Sequence, residues 1–166
     1  MEDNAPKFGP RKKFAKNLAQ KLLKDSKIFQ APVRLELIIE SIKANYDLSI
    51  MPIENASERI SGLLVVCKEE NREFATIGFN PNHPFCRQRF TIAHEIGHLL
   101  LGHTCTSRDD GTYNEREANA FAAELLVPTS LLKQDYRDTT TLRNISSLYR
   151  VSDSTMWIRL TDLRLV

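Results

Sequence analysis

Arg87-Gln88-Arg89-Phe90-Thr91-Ile92-Ala93-His94-Glu95-Ile96-Gly97-His98-Leu99-Leu100-Leu101-Gly102-His103 is the stretch on which the reading of the chain turns. It holds H-E-x-x-H in a helical context that Gly102 can terminate. With only 4 His in 166 residues, chance supplies about 0.007 such matches, so the motif is signal. Residues four apart share one face of a helix, so His94 and His98 can turn two imidazole nitrogens to a single ion. Glu95 lies about 100° further round, placed to take a proton from an activated water rather than to ligate.

A catalytic zinc needs a third protein ligand and one open position. A third histidine in H-E-x-x-H-x-x-G-x-x-H would require Gly at 101 and His at 104, where the chain has Leu101 and Thr104. His103 falls one residue short, and is read as a helix cap or as a group orienting a ligand. The alternative is a carboxylate from a following helix, and Glu115-Arg116-Glu117-Ala118-Asn119 offers one. Glu115 and Asn119 share a face, so one can bind metal while the other orients His94. Glu117 is about 200° away from Glu115 and stands in reserve; Glu124 is two turns on. Thr112-x-x-Glu115 also reads as a capping box, which would occupy the same carboxylate. The two-His, one-carboxylate set accommodates zinc or another divalent ion.

Outward from this stretch, 42% hydrophobic and 27% charged residues describe an ordinary globular chain. Cys67, Cys86 and Cys105 are odd in number and irregularly spaced, which argues against a disulfide framework. Cys86 is placed at the opening of the active-site helix, and Cys105 as a buried thiol or, less simply, a redox-sensitive metal ligand. No apolar run approaches the roughly 20 residues of a membrane helix, and Met1–Pro6 shows no signal peptide, so a cytoplasmic protein is expected. The net charge of +2 does not call for nucleic acid, but residues 1–30 carry eight Lys and Arg against three acidic residues. A loose arm over residues 1–10 and then a basic helix with a Phe14, Leu18, Leu22 stripe are expected there.

Leu35, Ile38, Ile39 and Ile42 set a second helix, with Pro32 in its first turn. Three strand-like runs follow at 48–52, 60–67 and 74–79, the last two joined by a turn at 68–72. Helices fill the remainder. Strands and then helices predict an α+β fold around a small, mainly antiparallel three-stranded sheet. Phe74, Ala75, Thr76, Ile77, Gly78 and Phe79 are read as an edge strand on which an extended substrate could lie.

Arg89-Phe90-Thr91-Ile92-Ala93-His94-Glu95-Ile96-Gly97-His98, followed by Glu115-x-x-Ala118-Asn119-x-Phe121-Ala122-Ala123-Glu124-Leu125-Leu126-x-Pro128, closely resembles the ImmA/IrrE metallopeptidases over residues 86–130. The chain is accordingly divided into a basic arm and helix over 1–30, to which the resemblance gives no counterpart, a zincin-like core over 31–135 and a helical subregion at 136–166. The resemblance implies zinc held by His94, His98 and Glu115, Glu95 as base, and Asn119 behind a ligand histidine. The task it implies is limited proteolysis of a helix-turn-helix repressor, releasing stress-response or mobile-element genes in bacteria. Candidates for stabilising the oxyanion are Tyr113, His103, His83, Tyr136 and Tyr149.

Two rival functions belong to other classes. Leu142, Ile145 and Leu148, a tight turn at 150–152, and Met156, Leu160 and Leu163 outline a helix-turn-helix, hence a DNA-binding regulator. Residues 139–166 carry four Arg against two Asp, a thin surplus for phosphate contacts, so direct DNA binding is not expected. The other rival binds its repressor without cutting and uses zinc structurally. An intact Glu95 argues against it, because a structural site closes its coordination and has no use for a base.

Overall fold

The computed structural model describes residues 10–69, 72–103, 108–136 and 141–166. The N-terminal arm, the centre of the 68–72 turn and Cys105 lie outside the described residues. Seven helices and three strands are found among those described: α1 (Lys12–Asp25), α2 (Leu35–Lys43), β1 (Asp47–Pro52), β2 (Gly62–Glu69), β3 (Arg72–Phe79), α3 (Phe85–Leu101), α4 (Arg108–Leu126), α5 (Thr129–Asp135), α6 (Leu142–Tyr149) and α7 (Asp153–Asp162). The α+β class is as the sequence predicts.

The three-stranded sheet is mixed rather than purely antiparallel. Its order is β1-β3-β2, with β2 antiparallel to β3 and β1 parallel to it. Leu48 and Ile50 pair with Ala75 and Ile77, which pair in turn with Val66 and Leu64, forming two apolar rows on one face of the sheet. The hairpin was legible, but which of its strands accepts β1 is a long-range choice. It falls on β3, whose Ala75 and Ile77 are buried. Residues 74–79 are therefore central and hydrogen-bonded on both sides, and cannot be an edge strand. Among the described residues the free edges belong to β1 and β2.

Two expectations about the first helices shift by one to three residues. α2 starts at Leu35, so Pro32 stands outside its first turn, after a cis peptide bond with Ala31. On α1 the buried residues are Ala15, Ala19 and Leu23, while Phe14 is exposed. Alanine lets α1 lie close on α4, whereas a Phe14-centred stripe would hold the helices apart.

α4 is the inner helix, with α1 on one side and α3 on another. Ala118, Phe121, Ala122, Leu125 and Leu126 are all inaccessible to solvent. α3 crosses it at Gly97, where an added Cβ would lie 3.0 Å from Phe121 Cδ1 and 3.3 Å from the Ala118 backbone. Gly102 ends α3 in the left-handed region (φ 68°), and its N–H bonds back to the carbonyls of His98 and Leu99.

Two carboxylates on α4 are carried into this interior. Glu124 is matched by Arg159 of α7, itself 2% exposed, and also accepts from Gln20 Nε2 (2.9 Å), Thr129 N–H (3.0 Å) and Thr129 Oγ1 (2.8 Å). Burial pushes the Glu124 carboxyl up, but Arg159 and these donors outweigh it and hold it below the ordinary carboxylate value. A depressed folded pKa means stabilisation that is present above the unfolded value and lost as pH falls through the folded one.

Arg159→Met, which strands Glu124, should destabilise the fold by about 3–5 kcal/mol at neutral pH in urea titrations, with the deficit shrinking in acid. Adding Glu124→Met should recover most of the loss. Gly97→Ala should cost about 1–3 kcal/mol by forcing α3 from α4, measurable in the same titration.

Candidate metal centre

The H-E-x-x-H turn lies in the middle of α3, held by Ala93, Ile96 and Gly97, which are buried on either side of it. Because Gly97 admits the α4 backbone, the polar face of α4 comes directly opposite His94 and His98. Glu115 reaches across the gap: its Oε2 is 3.2 Å from His94 Nε2 and its Oε1 is 3.1 Å from His98 Nε2. The two Nε2 atoms are 3.0 Å apart. Among the described residues, His94, His98 and Glu115 form the cluster whose geometry could hold a metal ion.

The far side of each ring explains why those nitrogens converge. His94 Nδ1 lies 3.1 Å from Asn119 Oδ1, an atom that can only accept, so the ring's proton sits on Nδ1 and Nε2 presents a lone pair. His98 Nδ1 faces His103 Nδ1 at 2.9 Å. Burial lowers the His94 pKa, and burial together with the neighbouring His94 lowers that of His98 to about 4. Both rings are therefore neutral near pH 7, the form in which imidazole ligates. Two lone pairs and a carboxylate held 3.0–3.2 Å from one another repel unless a cation stands among them. Tetrahedral zinc with bonds of about 2.0–2.1 Å places its ligand atoms roughly 3.3 Å apart, so the donor set fits such an ion.

Glu95 stands beside this cluster rather than in it. Its Oε1 lies 3.4 Å from where a side chain on Gly62 would begin, so the carboxylate sits against the first residue of β2. The same Cβ would strike Thr91 Cγ2 at 2.3 Å, which is why β2 must start with glycine to approach α3 so closely. Burial, and then the charge of Glu115, raise the Glu95 pKa to about 7. A carboxylate poised there can both take and return a proton near neutrality.

The other sequence candidates separate cleanly. Glu117 is 3% exposed and turns away from the cluster to Arg11 and His103. Glu124 is committed to Arg159. α4 begins at Arg108, so Thr112 lies inside the helix and no capping box occupies Glu115. Tyr149 is buried and donates to Asp135 Oδ2 (2.5 Å), and His83 Nε2 lies 3.1 Å from the Glu58 carbonyl. Both serve the fold. Cys86 sits in the first turn of α3 as a free thiol. Sequence reasoning missed Arg11, Gly62 and Gly97. Only Gly97, a small residue between His94 and His98, carried a local signal.

The chain matches the IrrE N-terminal-like domain family, Peptidase_M78, over residues 46–161. No curated protein sequence matches it. Among solved structures, a Mycobacterium tuberculosis transcriptional regulator is similar with a TM-score of 0.66 at 13% identity, covering 90% of this chain. The chain spans 46% of that protein's length, and at such low identity the likeness speaks to the fold alone. No helix among the described residues is long and apolar enough to cross a membrane. With the family match running from β1 through α7 and enclosing the whole His94–His98–Glu115 cluster, the chain belongs to the IrrE N-terminal-like family of metallopeptidase-type domains.

Proposed function

We propose that the chain is a zinc-dependent endopeptidase that makes a limited cut in a DNA-binding transcriptional repressor. The observation that carries this is the convergence of His94 Nε2, His98 Nε2 and the Glu115 carboxylate to within 3.0–3.2 Å, with Glu95 adjacent and left out of the set. Three protein ligands with a free carboxylate alongside is the pattern of a catalytic site, since a structural one closes with a fourth ligand.

A zinc ion held by these residues supplies Lewis acidity, activating water and polarising the scissile carbonyl. The protein's own groups do the rest. Glu95 takes the proton of the attacking water and hands it to the leaving amine nitrogen. Asn119 keeps His94 in the tautomer that ligates. The free edge of β2, which begins beside Glu95, replaces residues 74–79 as the strand able to align an extended peptide through backbone hydrogen bonds. Leu63, Val65 and Val66 along it are exposed. The repressor as substrate rests on the resemblance to the ImmA/IrrE enzymes.

The helix-turn-helix reading finds less support. α6 and α7 have the expected outline, with Thr141 and Ser152 capping their starts. The basic residue of α7, however, is Arg159, buried against Glu124, and the exposed face carries Asp153, Trp157, Ile158 and Asp162. That surface does not suit a phosphate backbone.

Elemental mass spectrometry of wild-type protein should find about one zinc per chain, lost or much weakened in His94→Ala and Glu115→Ala. Retention in Glu115→Ala would remove Glu115 from the ligand set. Glu95→Gln should keep the metal, lower cleavage of a co-expressed repressor by roughly 100- to 10,000-fold, and trap the uncut complex. A repressor cut equally by wild type and Glu95→Gln would refute the assigned chemistry.

A further inference from the structure

Behind His98 runs a line of buried polar groups that the peptidase reading does not require. His98 Nδ1 is 2.9 Å from His103 Nδ1, and His103 Nε2 is 3.1 Å from Glu117 Oε2. The side chains of His103 and Glu117 are each 4% exposed. Glu117 receives three further donors from one residue at the start of α1: Arg11 N–H at 2.6 Å and Nε at 3.2 Å on Oε1, and Arg11 Nη2 at 3.0 Å on Oε2. Arg11 and Glu117 are 106 positions apart, and Arg11 lies outside the family-matched segment 46–161.

We propose that His103, Glu117 and Arg11 form a positioning relay that fixes His98 with its Nε2 lone pair toward the metal site, making the start of α1 a working part of that centre. The assignment follows from counting donors and acceptors. A carboxylate can only accept, so His103 places its N–H on Nε2, toward Glu117. A His98 that ligates through Nε2 carries its own N–H on Nδ1, and the atom 2.9 Å away that accepts it is His103 Nδ1, which leaves the single His103 N–H on Nε2 for Glu117. Arg11 neutralises Glu117, whose carboxyl, though pushed up by burial, is held below its ordinary value by the Arg11 and His103 hydrogen bonds. His94 obtains the same result from a single residue, Asn119.

The two ligand histidines thus have different supports. The His94 support lies on α4 within the same packed helix pair. The His98 support begins with an arginine that is itself 57% exposed, at the N-terminal boundary of α1. Whatever displaces the start of α1 releases Glu117, then His103, then the orientation of His98. Outer partners of metal-bound histidines are typically worth a 10- to 100-fold factor in metal affinity.

This inference rests on the reading of His94, His98 and Glu115 as a metal site. Zinc affinity is measured on the full chain by competition with a chromophoric chelator, for wild type, His103→Ala, His103→Gln and Arg11→Gln. The relay predicts affinity about 10- to 100-fold weaker in His103→Ala. His103→Gln should recover most of it, because its amide can accept from His98 and donate to Glu117 together. Arg11→Gln should show a smaller loss. In zinc-loaded wild type labelled with 15N-histidine, the His98 Nδ1–H should exchange slowly with solvent; His103→Ala should abolish that protection, and His103→Gln should restore it.

Affinities within twofold of wild type in all variants overturn the relay, as does a rapidly exchanging His98 Nδ1–H in the wild type, a result that needs no variant to fold. Wild-type protein that takes up no zinc overturns the metal reading itself and the relay with it. That outcome is distinct from a failed relay, in which wild type and variants bind alike.

Discussion

The close crossing of α3 and α4 at Gly97 and Ala118 is the constraint on which the rest of the molecule depends. A cluster of two histidines and a carboxylate from different helices requires those helices to approach nearer than most side chains permit, and here glycine meets an alanine backbone. Once the axes are that close, the helical period does the remaining work. Positions 94 and 98 on one helix and 115 and 119 on the other fall opposite each other, pairing Glu115 with the two histidine Nε2 atoms and Asn119 with the back of His94. The inaccessible alanines and leucines of α4 supply the burial that holds the crossing together.

Placing a functional helix at the centre of a small domain has a cost, because its polar residues are carried inside with it. The structure meets that cost twice by the same device. Glu117 and Glu124 each receive an arginine from a distant element together with several hydrogen-bond donors. Such pairs contribute less to stability than equivalent apolar packing would. Their effect is to fix α1 and α7 against α4 in one register, since any slip would strand a buried charge.

Much of this was legible in the sequence, for reasons that particular residues make plain. His94, Glu95 and His98 announce themselves because their spacing is local and the helical period converts it directly into geometry. Glu115 and Asn119 could be paired for the same reason. The order of strands could not be read, because Ala75 and Ile77 look alike whether β3 has one neighbour or two. The buried face of α1 was misjudged because Ala15 and Ala19 carry little hydrophobic signal beside Phe14, although it is their smallness that suits them to a tight interface. Arg11 was invisible: one basic residue among eight in a charged segment, its partner more than a hundred positions away.

The bare edge of β2 has a consequence for how the molecule behaves in company. A strand with no strand partner on its outer side among the described residues, and with Leu63, Val65 and Val66 exposed along it, is a template for any extended chain, including another copy of the same strand. Proteins usually blunt such edges with proline, a bulge or inward-pointing charge. Within the described length of β2, charge is confined to its far end at Lys68 and Glu69. Any use of that edge to hold another chain would therefore compete with resistance to edge-to-edge pairing for the same few residues.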